Sequence, residues 1–253
     1  MQKSLLFVLF SVILISSCTT IEFEKPIPYK ATSVNKCPTA LIGEFVEQDA
    51  DAKPHLLQEI ITFESPKPHQ LFISEYKFFT PQDLTRFPRY QVKGDTLIEH
   101  IRVEAEGSQV AHDSISKLAI LKTKEGYQTV KKLSYGLDFT THKLTNYLEE
   151  SDADDEVGEF EMRKKDDTFY LNIKGLNAES DNWYVVLFKQ TGNLMTVNFL
   201  SQVDEKMVDA VNKIMPLTKV KDNTYLAKPT ETQLEAFLKY PDVGDVTVLK
   251  RLK

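Results

Sequence analysis

Phe169-Tyr170-Leu171-Asn172-Ile173-Lys174 sets Phe169, Leu171 and Ile173 on one side of an extended chain and Asn172 and Lys174 on the other. A period of two is the mark of a strand with one face in a core. The expected partner is Trp183 to Phe188, apolar on both faces and therefore central in its sheet. Thr191-Gly192-Asn193 then supplies a turn, and Leu194 to Leu200 alternates again with Met195, Val197 and Phe199 inward. These segments read as the middle of an antiparallel sheet.

The same pattern extends in both directions. Upstream, Leu41 to Val46, Leu57 to Phe63 and Leu71 to Phe79 read as strands separated by Pro54, Pro66 and Pro68. A hairpin is expected over Tyr90 to Ile98, with Lys93-Gly94-Asp95 as its turn, and another where Lys124-Glu125-Gly126 joins Lys117–Thr123 to Tyr127–Leu133. Downstream, Asp204 opens a helix with Val203, Met207, Val211, Ile214 and Met215 at helical spacing, closed by Pro216. Thr230-Glu231-Thr232-Gln233 is a capping box behind Pro229, and Leu234, Phe237 and Leu238 form an apolar stripe that ends before Pro241. Val246 to Leu252 is a last strand. The expected class is α+β, predominantly antiparallel β in a sandwich or barrel-like sheet, with two short C-terminal helices.

The sharpest break in composition is Glu149-Glu150-Ser151-Asp152-Ala153-Asp154-Asp155-Glu156. It is either a boundary near 149–157 between an N-terminal β lobe and a C-terminal α+β lobe, or a long acidic loop in one domain. Asp152-x-Asp154-x-Glu156 resembles the start of a calcium loop. Val157 replaces the glycine such a loop requires, and Arg163 falls where its bidentate acid belongs. A solvated acidic turn is the expectation.

The N-terminus carries a different kind of information. After Lys3, the run from Leu5 to Ile15 is aliphatic or Phe except for Ser11, and Ser16 and Ser17 follow. A spanning helix needs roughly 20 consecutive apolar residues to cross ~30 Å of hydrocarbon, so this run is too short, and its order of parts is that of a secretory signal. Ile15-Ser16-Ser17-Cys18 resembles the lipobox of bacterial lipoproteins. The resemblance covers residues 1–18 alone and leaves the rest of the chain unassigned to a family. It implies that residues 1–17 are a signal peptide removed by a dedicated peptidase, and that Cys18 takes a diacylglycerol through a thioether and an acyl group on its new amino group. In the same family Thr19, rather than Asp, after the cysteine implies outer-membrane sorting. Residues 18–36, with Pro26, Pro28 and scattered charges, read as a lipidated tether leading to a β-rich body over 37–253. The alternative is that Ile21, Phe23 and Tyr29 pack back as an edge strand.

With Cys18 acylated, Cys37 has no intrachain partner, and a chain of this length needs no disulfide to hold its core. Cys37 reads as a small buried hydrophobe, the alternative being a thiol that pairs between molecules or binds a redox partner. The nine glycines are too widely spaced for Gly-x-Gly-x-x-Gly, a P-loop or Gly-x-Ser-x-Gly. His-Glu-x-x-His and Cys-x-x-Cys do not occur. Ser33-Val34-Asn35-Lys36, Ser180-Asp181-Asn182 and Lys189-Gln190-Thr191-Gly192 share letters with the penicillin-binding motifs. The first, however, lies in the expected tether, and the third carries an inserted Gln190. His112-Asp113-Ser114 has the letters of a triad, but neighbours on a strand point to opposite faces. His55, His69, His100, His112 and His142 are dispersed. No catalytic, cofactor-binding or metal-binding residue is assigned, and the one site is lipidation at Cys18.

The net charge of -6 without a basic patch argues against nucleic acid. Two functional readings follow, with an unlisted type of enzyme third. One is a non-catalytic, lipid-anchored binding or structural module of the cell envelope, facing the periplasm or the cell surface and meeting a protein or glycan partner. The other is a lipocalin-like carrier of an apolar ligand, since Leu41-Ile42-Gly43-Glu44-Phe45 resembles the way such barrels begin.

Overall fold

Alternation and turn chemistry build nineteen strands among the residues that the computed structural model describes, namely 18–48, 58–103, 112–147, 156–174, 181–240 and 243–252. They are β1 (Cys18–Phe23), β2 (Thr32–Ser33), β3 (Gly43–Glu47), β4 (Gln58–Glu64), β5 (Gln70–Phe79), β6 (Tyr90–Lys93), β7 (Thr96–Val103), β8 (His112–Lys122), β9 (Tyr127–Thr129) and β10 (Lys132–Asp138). The rest are β11 (Lys143–Asn146), β12 (Glu156–Lys165), β13 (Thr168–Lys174), β14 (Trp183–Thr191), β15 (Leu194–Phe199), β16 (Gln202–Asp204), β17 (Leu217–Lys221), β18 (Thr224–Ala227) and β19 (Asp245–Arg251). Three α-helices join them among the described residues, α1 (Pro81–Arg86), α2 (Val208–Ile214) and α3 (Glu231–Lys239). The described residues fall into two compact units, those within 1–48, 61–74 and 133–253 and those within 49–60 and 75–132.

The larger unit is built on a closed ten-strand barrel. Its strands follow one another as β3, β4, β5, β10, β11, β12, β13, β14, β15 and β19, and β19 closes the ring on β3 with Leu249 opposite Glu47. Registered rows show why the sequence alternates. Met162, Leu171, Val186 and Phe199 are successive partners across four strands and belong to the barrel core. In the next row Arg163, Tyr170, Leu187 and Asn198 face outward. Phe63 meets Phe45 and Phe188 edge-on at 5.6 and 6.2 Å inside the wall, and Phe139 meets Phe160 in the same way at 5.1 Å. Edge-to-face contacts contribute about 0.5–1.5 kcal/mol each beyond area burial.

Outside the wall lies a second core. Tyr170 and Val185 on β13 and β14 pack with Ile21, Phe23, Ile27, Val203, Val211, Met215, Leu234 and Phe237. Strands β13 and β14 are therefore covered on both faces, as the apolar run at 183–188 requires. The covering layer consists of β1, β16, β18, α2 and α3. In it β1 is paired on both sides, parallel to β18 and antiparallel to β16, and it touches β14 where Phe23 meets Trp183. α3 begins with the expected capping box, Thr230 and Gln233 each accepting from the other's backbone N–H.

The smaller unit is an antiparallel sheet in which β6 pairs β7, β7 pairs β8, β8 pairs β9, and β9 pairs the end of β5. Phe79, Tyr90, Leu97 and Ile120 form its core, with Leu84 and Phe87 from the α1 region against them. The turn glycine Gly94 takes φ +62°, a left-handed conformation that favours glycine.

The fold is predominantly antiparallel β, and of the two sheet forms left open by the sequence it takes the barrel. The expectation of two C-terminal helices is met in part: the first opens as a 3-10 turn over Glu205–Met207 and is α-helical only from Val208, and α1 is a further helix among the described residues. Two expectations need correction. Residues 18–36 do not form a tether: β1 is an internal strand with Ile21 and Phe23 fully buried. The units do not divide near 149–157, since 133–253 falls within one unit; the acidic stretch 149–155 lies outside the described residues. Asn172 lies, as expected, on the face opposite Phe169, Leu171 and Ile173, and there it is fully buried under the second layer.

Candidate functional site

In the larger unit an open groove of about 460 Å³ lies against β12. Glu159, Phe160, Glu161 and Met162 of β12 form one part of its lining, Ser33, Val34 and Asn35 a second, and His142 and Trp183 the remainder. Each piece is held by local backbone chemistry. β2 runs antiparallel beside β12, Ser33 opposite Arg163, and the Val34 N–H donates to the Met162 carbonyl at 2.8 Å. His142 sits in the β10–β11 turn with φ +57°, and its carbonyl accepts from the Phe160 N–H at 2.9 Å. Trp183 opens β14, level with Lys174 of β13, whose other neighbour is Glu159.

Charge in the groove is partly fixed by a neighbouring arginine. Arg163 Nε donates to Glu161 Oε1 at 2.7 Å, and its Nη1 donates to the carbonyls of Pro26 and Pro28 at 2.9 and 3.0 Å. Glu161 is thus held in one orientation by a group that also clamps the N-terminal segment. Glu159 is exposed, as are Ser33, Asn35 and His142. The lining combines two carboxylates, an amide, a hydroxyl and an imidazole with the only tryptophan in the chain. Such a set accepts and donates hydrogen bonds to a hydroxyl- or amide-rich ligand while offering apolar surface to its carbon face.

Cys18, the one site residue read from the sequence, stands at the first position of β1, its backbone in register with Asp204 of β16. Cys37 is half-buried against the barrel core; burial pushes its thiol up, and a hydrogen bond with Ser65 offsets this only in part. The dispersed histidines stay apart in their roles. His69 contacts the Asn35 carbonyl through Nδ1 at 3.2 Å, His142 reaches the groove, and His100 is exposed on β7. His55 and the side chains of His112 and Asp113 lie outside the described residues, as do Asp152 and Asp154.

Comparison with known proteins gives no match to a family model, a curated protein or a solved structure. The site therefore rests on geometry. Among the described residues no group of three His, Cys, Asp or Glu side chains is placed to hold a metal ion, and no helix is long and apolar enough to cross a membrane. The groove was not foreseen from the sequence. Its residues come from four separate stretches, and the only local signal was the alternation of acids at Glu159 and Glu161 along β12.

Proposed function

We propose that this chain is a lipid-anchored lipoprotein of the bacterial cell envelope, attached through Cys18 and sorted to the outer membrane, whose barrel unit is a non-catalytic binding module. The lipobox-like Ile15-Ser16-Ser17-Cys18 and the apolar run behind Lys3 support the anchor, and Thr19 supports the sorting. The groove at β12 supports binding of a polar, hydroxyl- or amide-bearing partner, a glycan or a protein segment, facing the periplasm or the cell surface.

One observation favours the module over a carrier. Phe45, Phe63 and Phe188 interlock inside the barrel wall, each at most 4% exposed, so protein side chains occupy the space an enclosed ligand would need. The carrier is the second reading because a closed ten-strand barrel is an architecture that also serves small-ligand carriers. Cross-linking in intact envelopes followed by detergent extraction tests the first reading, with co-purification of an envelope protein or glycan expected. Native mass spectrometry tests the second. A lipid retained in stoichiometric amount, with no partner recovered, replaces the module by the carrier.

A further inference from the structure

If Cys18 carries the lipid, as proposed above, the geometry of β1 determines which part of the body meets the membrane. Acylated lipoproteins stand off the bilayer by the length of flexible chain between anchor and fold. Here that length is zero. Cys18 is already in register with Asp204, Thr19 is 2% exposed, and the Thr20 N–H donates to the Asn223 carbonyl at 2.7 Å. We infer that the larger unit sits directly on the headgroups, with the start of the turn after β16 (Asp204 to Lys206) and the β17–β18 turn (Lys221 to Asn223) as its membrane-facing rim.

Strand directions support this. β1 is antiparallel to β16, so the C-terminal end of β16 lies beside Cys18. It is parallel to β18 with Thr20 opposite Thr224, so the turn before β18 lies at the same end. The opposite end of β1 is Phe23, five residues on, about 17 Å away at the usual rise of a strand. There Glu24 and Lys228 form an exposed ion pair at 2.6 Å. The rim is polar, carrying Lys206 and Lys221 against Asp204, Glu205 and Asp222. Its charges nearly cancel, so the acyl chains supply the attachment and the rim need only tolerate headgroups.

The test uses the full lipoprotein, purified with its lipid and reconstituted into phosphatidylcholine–phosphatidylethanolamine vesicles, in a Cys37→Ser background. A thiol-reactive fluorophore is placed at Asp222→Cys or at Lys228→Cys, and a lipid with a headgroup nitroxide serves as contact quencher. Several-fold quenching at position 222 with little at 228 is expected. A ten-residue Gly/Ser insertion between Cys18 and Thr19 should abolish the difference by lifting the body. Equal quenching at both positions without the insertion, in protein whose N-terminal peptide has the mass of an acylated cysteine, overturns the inference and leaves the anchor intact. An N-terminal peptide without the acyl mass overturns both.

Discussion

Asn172 holds both backbone polar groups of Ile27: Oδ1 accepts from the Ile27 N–H at 2.7 Å, and Nδ2 donates to the Ile27 carbonyl at 3.0 Å. The same Nδ2 also reaches the carbonyls of Glu161 and Tyr170 at 3.2 and 3.3 Å. A side-chain amide here imitates a strand neighbour and fastens the N-terminal segment to the barrel wall 145 residues away. The two bonds to Ile27 and the one to Tyr170 are buried, so they have no water to replace them, while the one to Glu161 is partly buried.

Asn172→Leu is predicted to destabilise the protein by about 3 kcal/mol, because it strands a buried N–H and a buried carbonyl at about 1–3 kcal/mol each. Urea unfolding of the variant measures it. A loss below 1 kcal/mol would mean that the segment is not held by this clamp.

Deleting Thr19 to Tyr29 is predicted to prevent cooperative folding of the larger unit, since Ile21, Phe23 and Ile27 are each fully buried in the second core. Each such side chain contributes about 1.5–3 kcal/mol on burial. Thermal unfolding followed by near-ultraviolet circular dichroism is the check. A tether would be removable with an unchanged melting temperature.

The sequence made the centre of the fold legible and left its outer layer obscure. β13 to β15 show plain alternation, because one face of each is core and the turns carry glycine. In β1, Ile21-Glu22-Phe23 alternates over only three residues, and Glu22 is an acid that ordinarily signals solvent and so an edge. Here the carboxylate is only 3% exposed and accepts from the Tyr184 hydroxyl at 2.7 Å and from Asn182 Nδ2 at 2.8 Å. Those donors lie some 160 residues along the chain, so no local pattern reveals them. Asn172 was obscured for the same reason. α1 was missed, although Thr80-Pro81-Gln82-Asp83 carries its signal, a capping box with proline at the first turn, which Thr80 and Asp83 complete. The groove joins Ser33, His142, Glu159 and Trp183 by tertiary packing alone.

Phe63→Ala is predicted to cost about 3–5 kcal/mol, as it removes the ring between Phe45 and Phe188 and leaves a cavity in the barrel. Chemical denaturation gives the number. A cost near 1 kcal/mol would indicate a loosely filled interior and favour the carrier.

Glu159→Ala is predicted to leave stability within about 0.5 kcal/mol, because the side chain is exposed, while weakening a groove ligand several-fold. Trp183 fluorescence reports binding directly, being the only indole in the chain. An unchanged affinity would remove Glu159 from the site.

Burial of the Tyr170 ring in the second core, with Asp166 adding repulsion, raises its phenol above the ordinary value. The folded state therefore holds this proton more tightly than the unfolded chain. Its stabilising contribution is complete below the unfolded value of about 10 and is lost as the pH rises from there through the folded value. Denaturant midpoints across this alkaline range should fall for wild type and less steeply for Tyr170→Phe. Identical slopes would contradict the assignment.

Metabolic labelling with radioactive palmitate in a bacterial host tests the anchor most directly. The proposal predicts label on the wild-type chain and none on Cys18→Ser, which should accumulate as an uncleaved or unlipidated precursor. Equal label on both would contradict it.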